Sequence, residues 1–128
     1  EEGRKVELYI DFNSDEAIYI QLCNQIIVGI AADKIKEGDS LPSVRQLADD
    51  VGINMHTVNK AYSILRQEGF VKLDRRRGAV ICIDVDRMRQ ISQMKKDLSI
   101  VVARAICNGV DREDAHNLID ELYDNYNV

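Results

Sequence analysis

Five polar residues crowd into the start of one helical run: Asn54, His56, Thr57, Asn59 and Lys60, within "NMHTVNK". Together these types can recognise a partner by hydrogen bonding. Asn pairs bidentately with adenine, Thr offers a base edge both its hydroxyl and its methyl, and Lys meets a phosphate. The first turns of a helix are where base edges are read when it enters a major groove about 12 Å wide. Two further groups of positive charge flank this run. Arg45 falls in the first turn of the preceding helical segment, where a phosphate would also meet the positive end of the helix dipole. Arg75, Arg76 and Arg77, followed by Gly78, form a basic turn suited to a neighbouring phosphate or the minor groove. Catalysis finds no support: the chain has no phosphate-binding Gly loop and no nucleophile motif. His56 and His116 are read as solvated or hydrogen-bonded rather than as metal ligands, so no metal and no cofactor are expected.

The elements that must position these residues follow from apolar spacing. Val44, Leu47, Ala48 and Val51 cover one side of a short helix, closed by Gly52, which tolerates the left-handed conformation at a helix end. Ser43 opens it, and "SVRQ" has the Ser-x-x-Gln form in which each side chain satisfies the other's backbone N–H. Val58, Ala61, Tyr62 and Leu65 give a second helix one apolar side, with Gly69 as its stop. Upstream, Ile18, Leu22, Ile26 and Ile30 predict a helix from Asp15 or Glu16 to about Lys34, and "KIKEGDSLPS" is its exit loop. Downstream, two β-prone runs, Phe70 to Leu73 and Ala79 to Ile83, predict a hairpin around the Arg turn. Three helices and a hairpin make a winged helix-turn-helix, expected over residues 15–83. Residues 1–14, with Val6, Leu8 and Ile10 alternating against polar neighbours, are expected to form a short strand or extended arm.

Charge agrees with this only when divided along the chain. The net charge is −5, yet Lys34 to Gly78 carries nine Lys/Arg against six Asp/Glu, and the remainder carries eight against sixteen. A polyanion responds to the local field, so the middle third is the candidate surface. The longest apolar stretch, "IIVGIAA", is too short to span a bilayer, and the acidic opening does not fit a signal peptide. Cys23, Cys82 and Cys107 are odd in number and widely spaced without a CxxC, which predicts buried thiols of a reducing cytosol rather than disulfides or zinc ligands.

Residues 17–83 resemble the winged-helix domain of the GntR family of bacterial transcription regulators. "IYIQLCNQI", "LPSVRQLA", "VGINMHTVNKAYSILRQEGF" and the Arg-rich turn into Gly78 fall in the family's order and spacing. The resemblance implies DNA contacts from Ser43, Arg45, His56, Thr57, Asn59 and the wing tip around Arg77 and Gly78. Two departures are visible. Ala17 stands where such sequences commonly have proline, and Met55 and Asn59 occupy positions that are basic in some branches, so no operator sequence carries over.

Residues 84–128 make a short helical tail, whereas most members of that family append a much larger effector-binding domain. Ile91, Leu98 and Ala105 lie seven apart, with Met94 and Val101 offset by three, which forms a seam along one helix. Asn108-Gly109 ends that helix. A second follows with Ala115, Leu118, Ile119, Leu122 and Tyr126 on one face and Asp111 as its cap. Two helices cannot hide this much apolar surface alone, so Ile91, Met94, Leu98, Val101, Ala105, Leu118 and Leu122 are expected at the interface of a homodimer. The tail is similar to that of the YtrA-type branch, which implies a dimeric repressor. The expectation is a mainly α protein with a small β-hairpin: a winged helix-turn-helix and a two-helix dimerisation segment, binding double-stranded DNA as a cytoplasmic, bacterial regulator. The alternative is a winged-helix module that binds protein instead. It would favour neutral or acidic recognition and wing surfaces, against the Arg45, Lys60 and Arg75 to Arg77 found here. No membrane partner is expected, and the sequence names no effector.

Overall fold

In the computed structural model, which describes residues 6–84 and 86–126, the chain forms two compact units, Glu1–Asp84 and Val85–Val128. The first contains α1 (Ile18–Ala31), α2 (Val44–Val51), α3 (Met55–Gln67), β1 (Val71–Asp74) and β2 (Gly78–Ile81). The second contains α4 (Arg87–Cys107) and α5 (Arg112–Asp124).

α1 is shorter at both ends than its apolar spacing predicts. Ala17 is extended at φ −56°, ψ 142° and offers no side-chain cap, so the helix begins at Ile18. At the far end Lys34 N and Ile35 N both donate to the Gly29 carbonyl at 2.9 and 3.0 Å. This folds the chain back until Ile35 rests on Gly29. A Cβ at Gly29 would lie 2.5 Å from Ile35 Cδ1, so any larger residue there would force the Ile35 side chain to shift.

The core forms where α1 and α3 cross, with α2 and the hairpin completing it. Leu22, Ile26, Val58, Leu65 and Ile81 are its largest fully buried side chains among the described residues. Gly69, at φ +86°, ends α3, and Phe70 N returns to the Leu65 carbonyl at 2.9 Å. β1 and β2 then pair antiparallel, Val71 with Ile81 through Asp74 with Gly78.

The second edge of β2 is also occupied. Residues 38–41, expected as plain loop, lie along it: Gly38 N donates to Ile81 O, Ile81 N to Asp39 O and Leu41 N to Ala79 O, at 2.8–2.9 Å. Such pairing protects an edge that would otherwise expose its backbone groups.

Residues 6–11 form an arm without regular structure, a turn at residues 12–13 follows in which Ser14 N donates to Asp11 O at 3.3 Å, and the arm packs on the winged unit. Val6 and Leu8 are buried in its core cluster. Two glutamines one turn apart on α1 hold the arm's backbone. Gln21 Oε1 accepts from Asp11 N at 2.9 Å, and Gln21 Nε2 donates to Asp11 O at 3.0 Å. Gln25 does the same for Tyr9, accepting from its N–H at 2.9 Å and donating to its carbonyl. Expectations for residues 1–5 fall outside the described residues.

In the second unit Asp86 caps α4, accepting from Arg89 N at 3.1 Å, and Asp111 caps α5, accepting from Asp114 N at 2.9 Å. Gly109, at φ +76°, makes the turn between them. Among the described residues, α4 and α5 bury none of their side chains. The expectation of three buried thiols is corrected accordingly. Cys23 is buried, Cys82 is half-buried and Cys107, at the end of α4, is exposed.

Candidate nucleic-acid interface

The helix-turn-helix corner is set by two caps and a glycine. Ser43 Oγ accepts from Gln46 N at 3.1 Å. The reciprocal half of the expected capping box is missing, because the Gln46 amide donates instead to Asp50 Oδ1, one turn on, at 2.7 Å. Gly52 closes α2 at φ 72°, ψ 41°, and Asn54 opens α3. Asn54 therefore stands before the helix rather than on its face, and its Oδ1 accepts from His56 N at 2.7 Å. Its carbonyl oxygen is committed to capping, which leaves the amide N–H groups for any outside partner.

His56, Asn59 and Lys60 are exposed and Thr57 is half-buried, all in the first two turns of α3. They divide by direction. The Lys60 ammonium lies 4.0 Å from the centre of the Tyr19 ring, a cation–π contact that draws it towards α1. Asn59 faces the other way, into a cleft of about 320 Å³ between α3, the start of α2 and the hairpin. Ser63 and Arg66 line the same cleft. Sequence reasoning stopped at Lys60 and missed these two, although they continue from Asn59 at +4 and +7, the spacing of one helix face. Arg45 is exposed in the first turn of α2, next to the Ser43 cap.

The wing tip spans residues 75–77. Asp74 Oδ1 accepts from Arg76 N at 2.8 Å and from Arg77 N at 3.1 Å. These two bonds, then the positive charge of Arg77 and Lys72, hold the Asp74 carboxyl below its usual pKa. Gly78 at φ +73° returns the chain to β2, as a short hairpin loop requires. The three arginines are not equivalent. Arg75 and Arg76 project from the tip, whereas Arg77 Nη2 donates to the Gly38 carbonyl and, at 2.9 Å, to Ser40 Oγ. Arg77 thus ties the wing to the loop before α2, with its remaining N–H groups still available.

Behind this face the scaffold is firm. The Tyr62 hydroxyl donates to the Pro42 carbonyl at 2.8 Å, so α3 holds the segment leading to the Ser43 cap. Burial pushes the Tyr62 phenol above its ordinary pKa, keeping it protonated as a donor.

In the second unit the residues expected at a dimer interface are uncovered. On α4, Ile91, Met94, Leu98 and Val101 are exposed and Ala105 is half-buried; on α5, Leu118 and Leu122 are exposed. The apolar surface also exceeds the expected seam, since Ile100, Val102 and Ile106 are exposed off it. The C-terminal half of α4 is thus apolar on more than one side, the mark of a helix meant for burial.

Among the described residues no helix is long and apolar enough to cross a membrane. Residues 16–81 match the family described as bacterial regulatory proteins, gntR family. The HTH-type transcriptional repressor YtrA of Bacillus subtilis is 33% identical over 118 residues, covering 90% of this chain and 91% of that protein. Among solved structures, YtrA from Sulfolobus acidocaldarius, a GntR-family transcription factor, is 39% identical with a TM-score of 0.65, covering 78% of this chain and 97% of its own. A structure titled transcriptional antiterminator from Listeria monocytogenes EGD-e covers 91% of this chain and 90% of its own at a TM-score of 0.79 and 25% identity. The winged unit with its basic tip and the short two-helix tail agree with these likenesses, and the chain belongs to the GntR family as a transcription regulator of the YtrA type, not an enzyme.

Proposed function

We propose that this regulator is a homodimeric repressor that acts in the cytoplasm on an inverted-repeat operator. The observation that carries the reading is the bare apolar surface of α4 and α5 in a chain with one recognition helix. A second copy covers that surface by twofold symmetry and brings a second recognition helix with it. α3 then enters the major groove, where His56, Thr57 and Asn59 read base edges. Ser43, Arg45, Lys60, Arg75 and Arg76 position the backbone, and the Asn54 amide, Arg77 and Gly78 shape the margins of the contact. Repression is supported by the Bacillus subtilis relative, which is named a repressor. The dimer also supplies affinity, because after one half-site is engaged the second binds intramolecularly, which raises apparent affinity by about a hundredfold or more.

Selection of bound sites from a random duplex pool, together with sedimentation of the free protein, tests this directly. The expected sites are inverted repeats with half-site centres about 34 Å, one helical turn, apart. A single asymmetric element, or a monomer at micromolar concentration, refutes it.

A further inference from the structure

The outward residues of the first two turns of α3 include one large apolar side chain. Met55 occupies the first helical position and is 44% exposed. It belongs neither to the core cluster nor to the half-buried residues packed against it. Its neighbours on this surface, His56, Asn59 and Lys60, are polar. The Asn54 cap fixes the start of the helix, so Met55 projects from the tip of the element that carries the base-reading groups.

We infer that Met55 is a specificity-determining residue that reads thymine, by packing its thioether against the 5-methyl group in the major groove. The inference rests on the DNA-reading role proposed for α3. The major-groove edges of the four base pairs offer one apolar group, the thymine methyl. A methionine has no strong donor or acceptor with which to answer the polar edges of guanine, cytosine or adenine, and desolvating those edges without a partner is unfavourable. Its unbranched, polarisable side chain adapts to a small apolar target. Asn59 stands one turn further along the same side and can pair with adenine. Met55 and Asn59 together therefore favour A·T pairs at neighbouring positions of the half-site. Thr57 carries the other methyl group in these turns, so the test must separate the two.

The experiment uses the full chain and the duplex it selects from a random pool. Each thymine of the half-site is replaced in turn by deoxyuridine, which removes only the 5-methyl group, and binding is measured for wild type, Met55→Ala, Met55→Leu and Thr57→Ser. One thymine per half-site is expected at which deoxyuridine weakens wild-type binding by about fourfold, the worth of one buried methyl group. Met55→Ala is expected to bind both duplexes alike while still preferring the operator to random DNA, and Met55→Leu and Thr57→Ser to retain the discrimination. Because Met55 is exposed, the alanine variant should match wild type by circular dichroism. The inference is overturned by a half-site without a methyl-sensitive thymine, by a penalty that survives in Met55→Ala, or by one that disappears in Thr57→Ser. A selection that yields no preferred sequence removes the DNA-reading role itself, and this inference with it.

Discussion

Leu98 lies midway along the α4 seam and is 37% exposed in the single chain. Replacing it separates what the chain needs to fold from what it needs to pair. No described residue of α4 is buried, so Leu98→Asp should disturb the protomer less than a core substitution would. In a dimer the balance differs. Fully burying a leucine side chain is worth about 1.5–3 kcal/mol; scaled by the surface still open on Leu98, each chain contributes about 0.6–1.1 kcal/mol. Leu98→Ala should therefore weaken a twofold contact by about 1–2 kcal/mol, roughly tenfold in dissociation constant. Aspartate adds a carboxylate that must be desolvated on each side of the axis, at several kcal/mol per ion. The charge outweighs the lost area, so Leu98→Asp should weaken the dimer by about a thousandfold or more. Sedimentation equilibrium checks the assembly, circular dichroism the fold, and titration of the selected operator the affinity. The aspartate variant should be a folded monomer that binds DNA weakly. A dimer with unchanged operator affinity refutes the placing of this helix at the interface.

Three further outcomes are expected. Arg76→Ala should weaken binding to most sequences and reduce the salt dependence by up to about one phosphate's worth per chain, whereas Asn59→Ala should relax preference at one base pair by about 1–3 kcal/mol; equal losses on operator and random DNA in both variants contradict that division. Because folding lowers the Asp74 pKa below its ordinary 3.8, its hold on the wing tip is complete above that value and fades as pH falls through the depressed one; amide exchange at Arg76 and Arg77 should rise only in that acid range, and Asp74→Asn, which keeps the acceptor oxygen, should show no such titration. Burial and then the nearby Glu68 carboxylate push the Cys23 thiol up to about 11, so at mildly alkaline pH a thiol reagent should modify Cys23 only on unfolding; rapid native labelling at that site contradicts its burial.

The parts of the fold legible in the sequence are those fixed by neighbours in the chain. Ser43, Gly52 and the spacing of Val58, Ala61, Tyr62 and Leu65 place α2, the turn and α3 because caps and amphipathic periods act within one or two turns. The end of α1 is not legible in the apolar spacing, because it depends on Ile35 folding back on Gly29, a contact that propensity does not encode. The segment along the second edge of β2, within "EGDSLP", carries no alternation, so its pairing is dictated by the strand it meets. Residue types located the basic surface, but side-chain direction did not follow from them. Lys60 leans on Tyr19, Arg77 turns inward to Gly38 and Ser40, and the Asn54 oxygen is spent on a cap. The heptad spacing marked Ile91, Leu98 and Ala105, yet it passed over Ile100, Val102 and Ile106, which stand off the seam.

The bonds that tie the wing to the segment before α2 make the winged unit a gauge of fixed opening. Arg77 is anchored at Gly38 and Ser40, Leu41 is paired to Ala79, and Tyr62 holds Pro42 beside the cap of α2. The wing tip and the recognition helix consequently keep one separation, and a duplex that seats on both must adjust its groove width to match. On the proposed seating, base pairs lying between the two contacts would affect affinity through how readily they narrow or widen, and operators of identical contacted bases would rank by their stiffness.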